Sequence, residues 1–165
     1  MSVLFTVSHK TPVGTLSLIA REQILLAAGF NGLDPLVAGL DLADAELGFK
    51  SVRTIPVISD LVADYFDGDL QAFNGIKVRQ PGQDFSQAVW KAMRKIPAGK
   101  TMSYAELAQR AGSAAAVRAA GSACARNLIA PIVPCHRVVK TGGDLGNYGY
   151  GLNVKQALLK FEGAL

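Results

Sequence analysis

The chain opens with short apolar runs, rich in β-branched and aromatic residues and separated by turn formers. Leu4-Phe5-Thr6-Val7-Ser8 reads as a strand, Thr11-Pro12-Val13-Gly14 as a turn, and Thr15 to Ala20 as a returning strand. Ile24 to Phe30 is a third apolar run, closed by Asn31-Gly32. Residues 33–53 carry no sustained period and are expected to form a loose connection. The spacing then changes. Val57, Ile58, Leu61, Val62, Tyr65 and Phe66 recur at helical intervals, predicting a helix with Thr54 as N-cap, Pro56 in its first turn and Gly68 as its stop. A short strand near Phe73 to Val78 leads to Gln80-Pro81-Gly82, the expected linker.

Beyond the linker the pattern is helical. Asp84 is placed to cap a helix with Phe85, Ala88, Val89 and Met93 on one face, ending at Pro97-Ala98-Gly99. Ser103 and Glu106 form a capping-box pair that starts a helix over 104–111, stopped by Gly112. Ser113 then caps a helix over 114–126. Two helices joined by one or two residues around a glycine make a helix-turn-helix pattern, which many α-hairpins share. A last helix, 153–162, places Val154, Ala157, Leu158 and Phe161 on its buried side. The expected fold is α/β in the α+β sense. A small N-terminal sheet-plus-helix lobe (1–80) is followed by a mainly helical lobe (81–165) with a winged-helix-like helix-turn-helix.

Composition narrows the function classes. Of 165 residues half are apolar and 18% charged, which supports a packed core and argues against disorder. No run approaches the ~20 apolar residues of a bilayer span. The first residues lack the basic-then-apolar pattern of a secretory signal. Two cysteines and two histidines build neither a disulfide framework nor a structural zinc site. A reducing cytoplasm, no membrane and no structural zinc are therefore expected. Charge is split: residues 1–80 hold six Lys/Arg against nine Asp/Glu, residues 81–165 eleven against four. A second half this basic points to a polyanionic partner.

The candidate chemistry lies at Pro134-Cys135-His136-Arg137-Val138. A cysteine attacks as thiolate, and neighbouring imidazole and cationic groups favour that form. An acid oriented on His136 would complete a Cys-His-acid relay. Of the four acids in this half, Asp84, Glu106, Asp144 and Glu162, the last is the best placed, because it ends a helix that packs into the lobe. Taken alone, Cys135 also fits an inert core cysteine. The helix over 114–126 is nearly all small residues around Arg118. It fits a smooth surface for a minor groove with one wedge residue, and equally an alanine-rich packing helix with a solvated arginine. Cys124 reads as packing.

Residues 85–163 together resemble the O6-alkylguanine-DNA alkyltransferases. The signature is Pro-Cys-His-Arg-Val at 134–138. Supporting landmarks are Phe85 with Val89-Trp90, Ile96-Pro97-Ala98-Gly99-Lys100-Thr101 with Ser103-Tyr104, Arg118, Asn127, Gly146-Asn147-Tyr148-Gly149, Lys155 and Glu162. The resemblance implies a DNA repair protein that flips O6-alkylguanine, and O4-alkylthymine, out of duplex DNA and takes the alkyl group irreversibly onto its own cysteine, with no metal or organic cofactor. In that scheme Cys135 is the acceptor, His136 the base acting through water, Glu162 its orienter and Asn127 a backbone anchor. Arg118 fills the space of the flipped nucleotide. Tyr104 donates to guanine N3, the Val138 carbonyl takes the exocyclic amine, the Gly149 N–H meets O6, and Tyr148 walls the pocket. Tyr150 and Lys155 join the DNA- and base-binding group.

The implied partner is double-stranded DNA bearing O6-alkylguanine, contacted in its minor groove by helix 114–126. A monomer acting in the cytoplasm on nucleoid DNA is expected. Three departures bear on the pocket: Leu128 follows Asn127 where relatives often have proline, Gly149 lacks a hydroxyl that some relatives have, and Tyr150 is bulky. The competing readings are a Cys-His hydrolase, which would turn over, and a DNA-binding or lesion-marking module, against which Cys135 counts.

Overall fold

The computed structural model describes residues 3–165. They divide into two compact units, one running to Pro81 and including Leu128–Ile132, the other comprising Gly82–Asn127 and Val133–Leu165. The return of residues 128–132 to the first unit is not part of the division expected at 80/81.

In the first unit, β1 (Leu4–Thr11), β2 (Gly14–Arg21) and β3 (Ile24–Gly29) form an antiparallel meander. β2 is the central strand, and Leu16, Leu18, Ile19 and Ala20 are all fully buried. That is why it reads as a continuous apolar run. Residues 33–53 are not loose. They form α1 (Leu33–Gly39), α2 (Leu42–Ala45) and β4 (Phe49–Ser51), which pairs parallel to β1. These pieces are too short for a period to show, and tertiary contacts hold them. Leu36 packs on Leu4, Ile19 and Leu26, and the buried Asp44 carboxylate is gripped by Arg21 (3.4 Å) and Arg79 (3.1 Å).

The next helix, α3 (Ile58–Phe66), begins later than a Thr54 cap would place it. The chain turns first: Val57 sits at φ 69°, and the Ser59 hydroxyl accepts the Ile55 N–H at 2.8 Å. A 3₁₀ turn (Ala72–Gly75), with Phe73 stacked on Tyr65, takes the first half of the predicted strand. Only Lys77–Val78 remains extended, as β5. Sheet order is β4-β1-β2-β3-β5. Beside β3, the Ala28 N–H donates to the Leu128 carbonyl and the Ala130 N–H to the Ala28 carbonyl, pinning the returning segment.

The second unit is helical with one small parallel ribbon. α4 (Asp84–Met93) starts with Asp84 as its first residue and Gln83 in the cap position, one residue before the expected cap. Trp90 anchors it, donating its indole N–H to the Ala123 carbonyl at 2.9 Å. β6 (Met102–Ser103) leads into α5 (Tyr104–Arg110), where the Ser103 hydroxyl accepts the Glu106 N–H as its spacing predicts. α6 runs only from Val117 to Ala125. Ser113 does not cap it, and residues 114–116 belong to the turn. The connection after α5 is therefore longer than the one or two residues expected, because an alanine run gives helix propensity without fixing a start. A 3₁₀ turn (Cys135–Arg137) passes into β7 (Val138–Val139), paired with β6. The last helix, α7 (Leu152–Phe161), ends with Glu162 in the cap position. Among the described residues no helix is long and apolar enough to cross a membrane.

Candidate active site

Cys135 is the first residue of the 3₁₀ turn, and its sulfur opens into a cavity of about 280 Å³. Tyr104, Gly121, Cys124, Ala125, Asn147, Tyr148 and Gly149 complete the lining. The Asn127 amide donates to Cys135 Sγ at 3.3 Å and to the Val133 carbonyl at 2.8 Å. Burial pushes the Cys135 thiol up, whereas the Asn127 amide and the Lys155 ammonium pull it down. The resting group is thus a thiol whose anion has prepared stabilisers.

His136 is fully buried, and its Nε2 lies 2.9 Å from Glu162 Oε2. Burial lowers the imidazole pKa, so the ring is neutral near pH 7. Burial alone would raise the Glu162 carboxyl, but hydrogen bonds from His136 and Arg137 hold it at about 2. An ionised carboxylate requires a proton on Nε2, which leaves the lone pair on Nδ1. That nitrogen is buried and makes no hydrogen bond among the described residues. The pair is therefore a base with its proton-accepting atom defined.

Sequence reading treats Arg137 as a nearby positive charge; the structure gives it a different task. It is buried, donates through Nε and Nη2 to both Glu162 oxygens at 2.9 and 2.8 Å, and through Nη1 to the Ile96 carbonyl at 2.7 Å. It locks the carboxylate that orients the imidazole. The signal was present only as an arginine beside the histidine, because its partner lies 25 residues away.

Lys155 is also fully buried, which removes it from direct contact with DNA. Its ammonium donates to the carbonyls of Val138 (2.7 Å), Leu145 and Asn147 (3.3 Å), tying the loop before α7 to β7. The Val138 carbonyl expected to read the base thus already accepts one hydrogen bond. Tyr104 lines the cavity, and burial with the nearby thiols pushes its hydroxyl up to about 12, so it remains a donor. Gly146 lies alongside at φ 75°, where a Cβ would stand 3.4 Å from the Tyr104 ring and hydroxyl.

Tyr148 walls the cavity, and Tyr150 meets it edge-on with ring centroids 5.5 Å apart. Burial, with Cys135 nearby, raises the Tyr150 hydroxyl to about 12; the ring is half-buried against Tyr148 and is not among the residues that line the cavity. Arg118, near the start of α6, is exposed and has no ion pair or hydrogen bond among the described residues. Cys124 was read as packing; its sulfur does contact Met93 Sδ at 3.8 Å, but it also lines the cavity. A register argument along α6 could have found it beside Gly121.

These features define an α+β chain in which a cysteine on a cavity stands beside a buried histidine–carboxylate pair. Residues 84–164 match the family described as the DNA-binding domain of 6-O-methylguanine DNA methyltransferase. A methylated-DNA–protein-cysteine methyltransferase of Methanosarcina mazei is 40% identical over 84% of this chain and 89% of its own length. One from Salmonella typhimurium is 37% identical over 94% and 93%. The match to the Methanosarcina acetivorans protein spans 64% of that protein's length, at 46% identity. Among solved structures, Mycobacterium tuberculosis OGT in complex with DNA is 34% identical with a TM-score of 0.82, covering 97% of this chain and 93% of that one. The chain belongs to the methylated-DNA–protein-cysteine methyltransferase family.

Proposed function

We propose that this protein repairs DNA by taking the alkyl group of O6-alkylguanine, and of O4-alkylthymine, onto Cys135. The observation that carries this reading is a cysteine in an open cavity, backed by a neutral His136 whose Nδ1 is the free base and whose Nε2 is held by Glu162. The Cys135 proton passes through water to His136 Nδ1. The sulfur then forms a bond to the alkyl carbon as the carbon–O6 bond breaks. Negative charge leaves on the base, where the Tyr104 hydroxyl donates to N3 and the Gly149 N–H to O6. The proton finally returns to the released guanine. The product is a thioether, which water does not displace, so each molecule acts once and requires no cofactor.

The alkyl group is hidden within the stack, so the nucleotide must leave it, at a cost of a few kcal/mol. Arg118, exposed and unpartnered on a helix of small residues, fits the role of filling the gap from the minor groove. The protein works as a monomer, in the cytoplasm, on nucleoid DNA. Titration with excess duplex carrying O6-methylguanine tests this reading: one equivalent should be demethylated per protein molecule, after which the reaction stops. Continued turnover would instead identify a hydrolase.

A further inference from the structure

We propose that a cleft between α4 and α5 is a second phosphate-binding site that engages the DNA backbone away from the cavity. The proposal rests on the DNA-binding reading above. The cleft, about 360 Å³, is lined by Ala88, Lys91, Ala92, Lys95 and Arg110. Lys91 lies in the last turn of α4 and Lys95 in the turn that follows it, both exposed on the same cleft. Neither has an ion pair or a hydrogen bond among the described residues. Arg110 closes the third side and shares one Nη with Glu106 at 3.2 Å, leaving its other donors for a ligand. Two alanines keep the floor low between three cations. That combination suits a compact, multiply accepting anion such as a phosphodiester.

The site is separate from the chemistry. None of its residues lines the Cys135 cavity, and the opposite side of α4 carries Trp90, which is bonded to α6. A phosphate held there belongs to a part of the duplex other than the flipped nucleotide. Its contribution is therefore to affinity and salt dependence, with the transfer step left unchanged.

The test compares wild type with the Lys91→Ala/Lys95→Ala/Arg110→Ala variant. Duplex binding is measured across a salt series, and transfer is measured from free O6-benzylguanine base, which carries no phosphate. The slope of log K against log salt should fall by roughly 2–3, about 0.9 per lost contact, with affinity at least tenfold weaker. Transfer from the free base should keep its wild-type rate, and the melting temperature should stay close to that of wild type, since all three side chains are exposed. A Lys91→Arg/Lys95→Arg variant should retain the wild-type slope. An unchanged slope and affinity in the alanine variant overturns the proposal, as does a loss confined to tripolyphosphate binding, which would make the occupant a free anion. Wild-type protein that fails to bind duplex at all would instead overturn the functional reading itself.

Discussion

Behind Cys135, the charged and polar side chains are buried and matched. Glu162 accepts from His136 and Arg137, Arg137 also reaches the Ile96 carbonyl, and Lys155 satisfies three carbonyls. In front of it, residues 140–151 are mostly exposed, include five glycines, and offer the cavity Asn147, Tyr148 and Gly149. The rear region holds the imidazole and the carboxylate in fixed, buried positions where reorganisation is costly. The front region fixes little beyond where Lys155 holds it. Reactivity and substrate range are thus separable, and substitutions in the two regions should have different signatures.

The largest effect short of removing the nucleophile is expected at the rear. Glu162→Gln should slow transfer by roughly 10²–10⁴-fold, the usual worth of general acid–base catalysis, while duplex affinity is kept. A wild-type rate would dissolve the contrast between the regions. The same carboxylate should govern acid stability. Its fall from an ordinary 4.5 to about 2 corresponds to on the order of 3 kcal/mol, fully present above pH 4.5 and lost as pH drops towards 2. His136, also depressed, adds stability that is complete above pH 6.5 and declines below it. Urea melts from pH 7 to pH 2 should show stability falling with pH, and Glu162→Gln should flatten the part below pH 4.5. An equally steep variant would contradict this.

At the boundary between the regions, Tyr104→Phe should reduce the transfer rate about tenfold or more by removing a donor to developing charge, with little change in stability. A rate loss matched by a lowered melting point would mean that the ring only packs. The smallest effect is expected at the front. Tyr150→Gly should favour benzyl over methyl transfer by a few-fold, because the Tyr150 ring buttresses Tyr148, which walls the cavity, and its loss lets that wall give way. Equal changes for both substrates would exclude a gate.

What the sequence made legible follows the same division. The Ser103–Glu106 cap, the strands with long apolar runs and the Cys-His pair are local signals, and they stand where expected. The small elements within residues 33–51 were not legible, because none is longer than seven residues, too few for a period to repeat clearly, and they are held by distant partners such as Asp44 with Arg79. The role of Arg137 was hidden for the same reason. The start of α6 was obscured by alanines that fit either helix or turn. Lys155 was expected in the DNA- and base-binding group; a lysine seldom lies fully buried, and only its three carbonyl partners explain its place.

The central claim is that Cys135 is the permanent acceptor of the alkyl group. Intact-protein mass spectrometry after mixing with a duplex carrying O6-methylguanine tests it most directly, followed by peptide mapping. The account predicts one methyl replacing one hydrogen, located on Cys135, with Cys135→Ser unmodified and still bound to the duplex. A methyl on Cys124, or demethylated DNA with protein of unchanged mass, would contradict it.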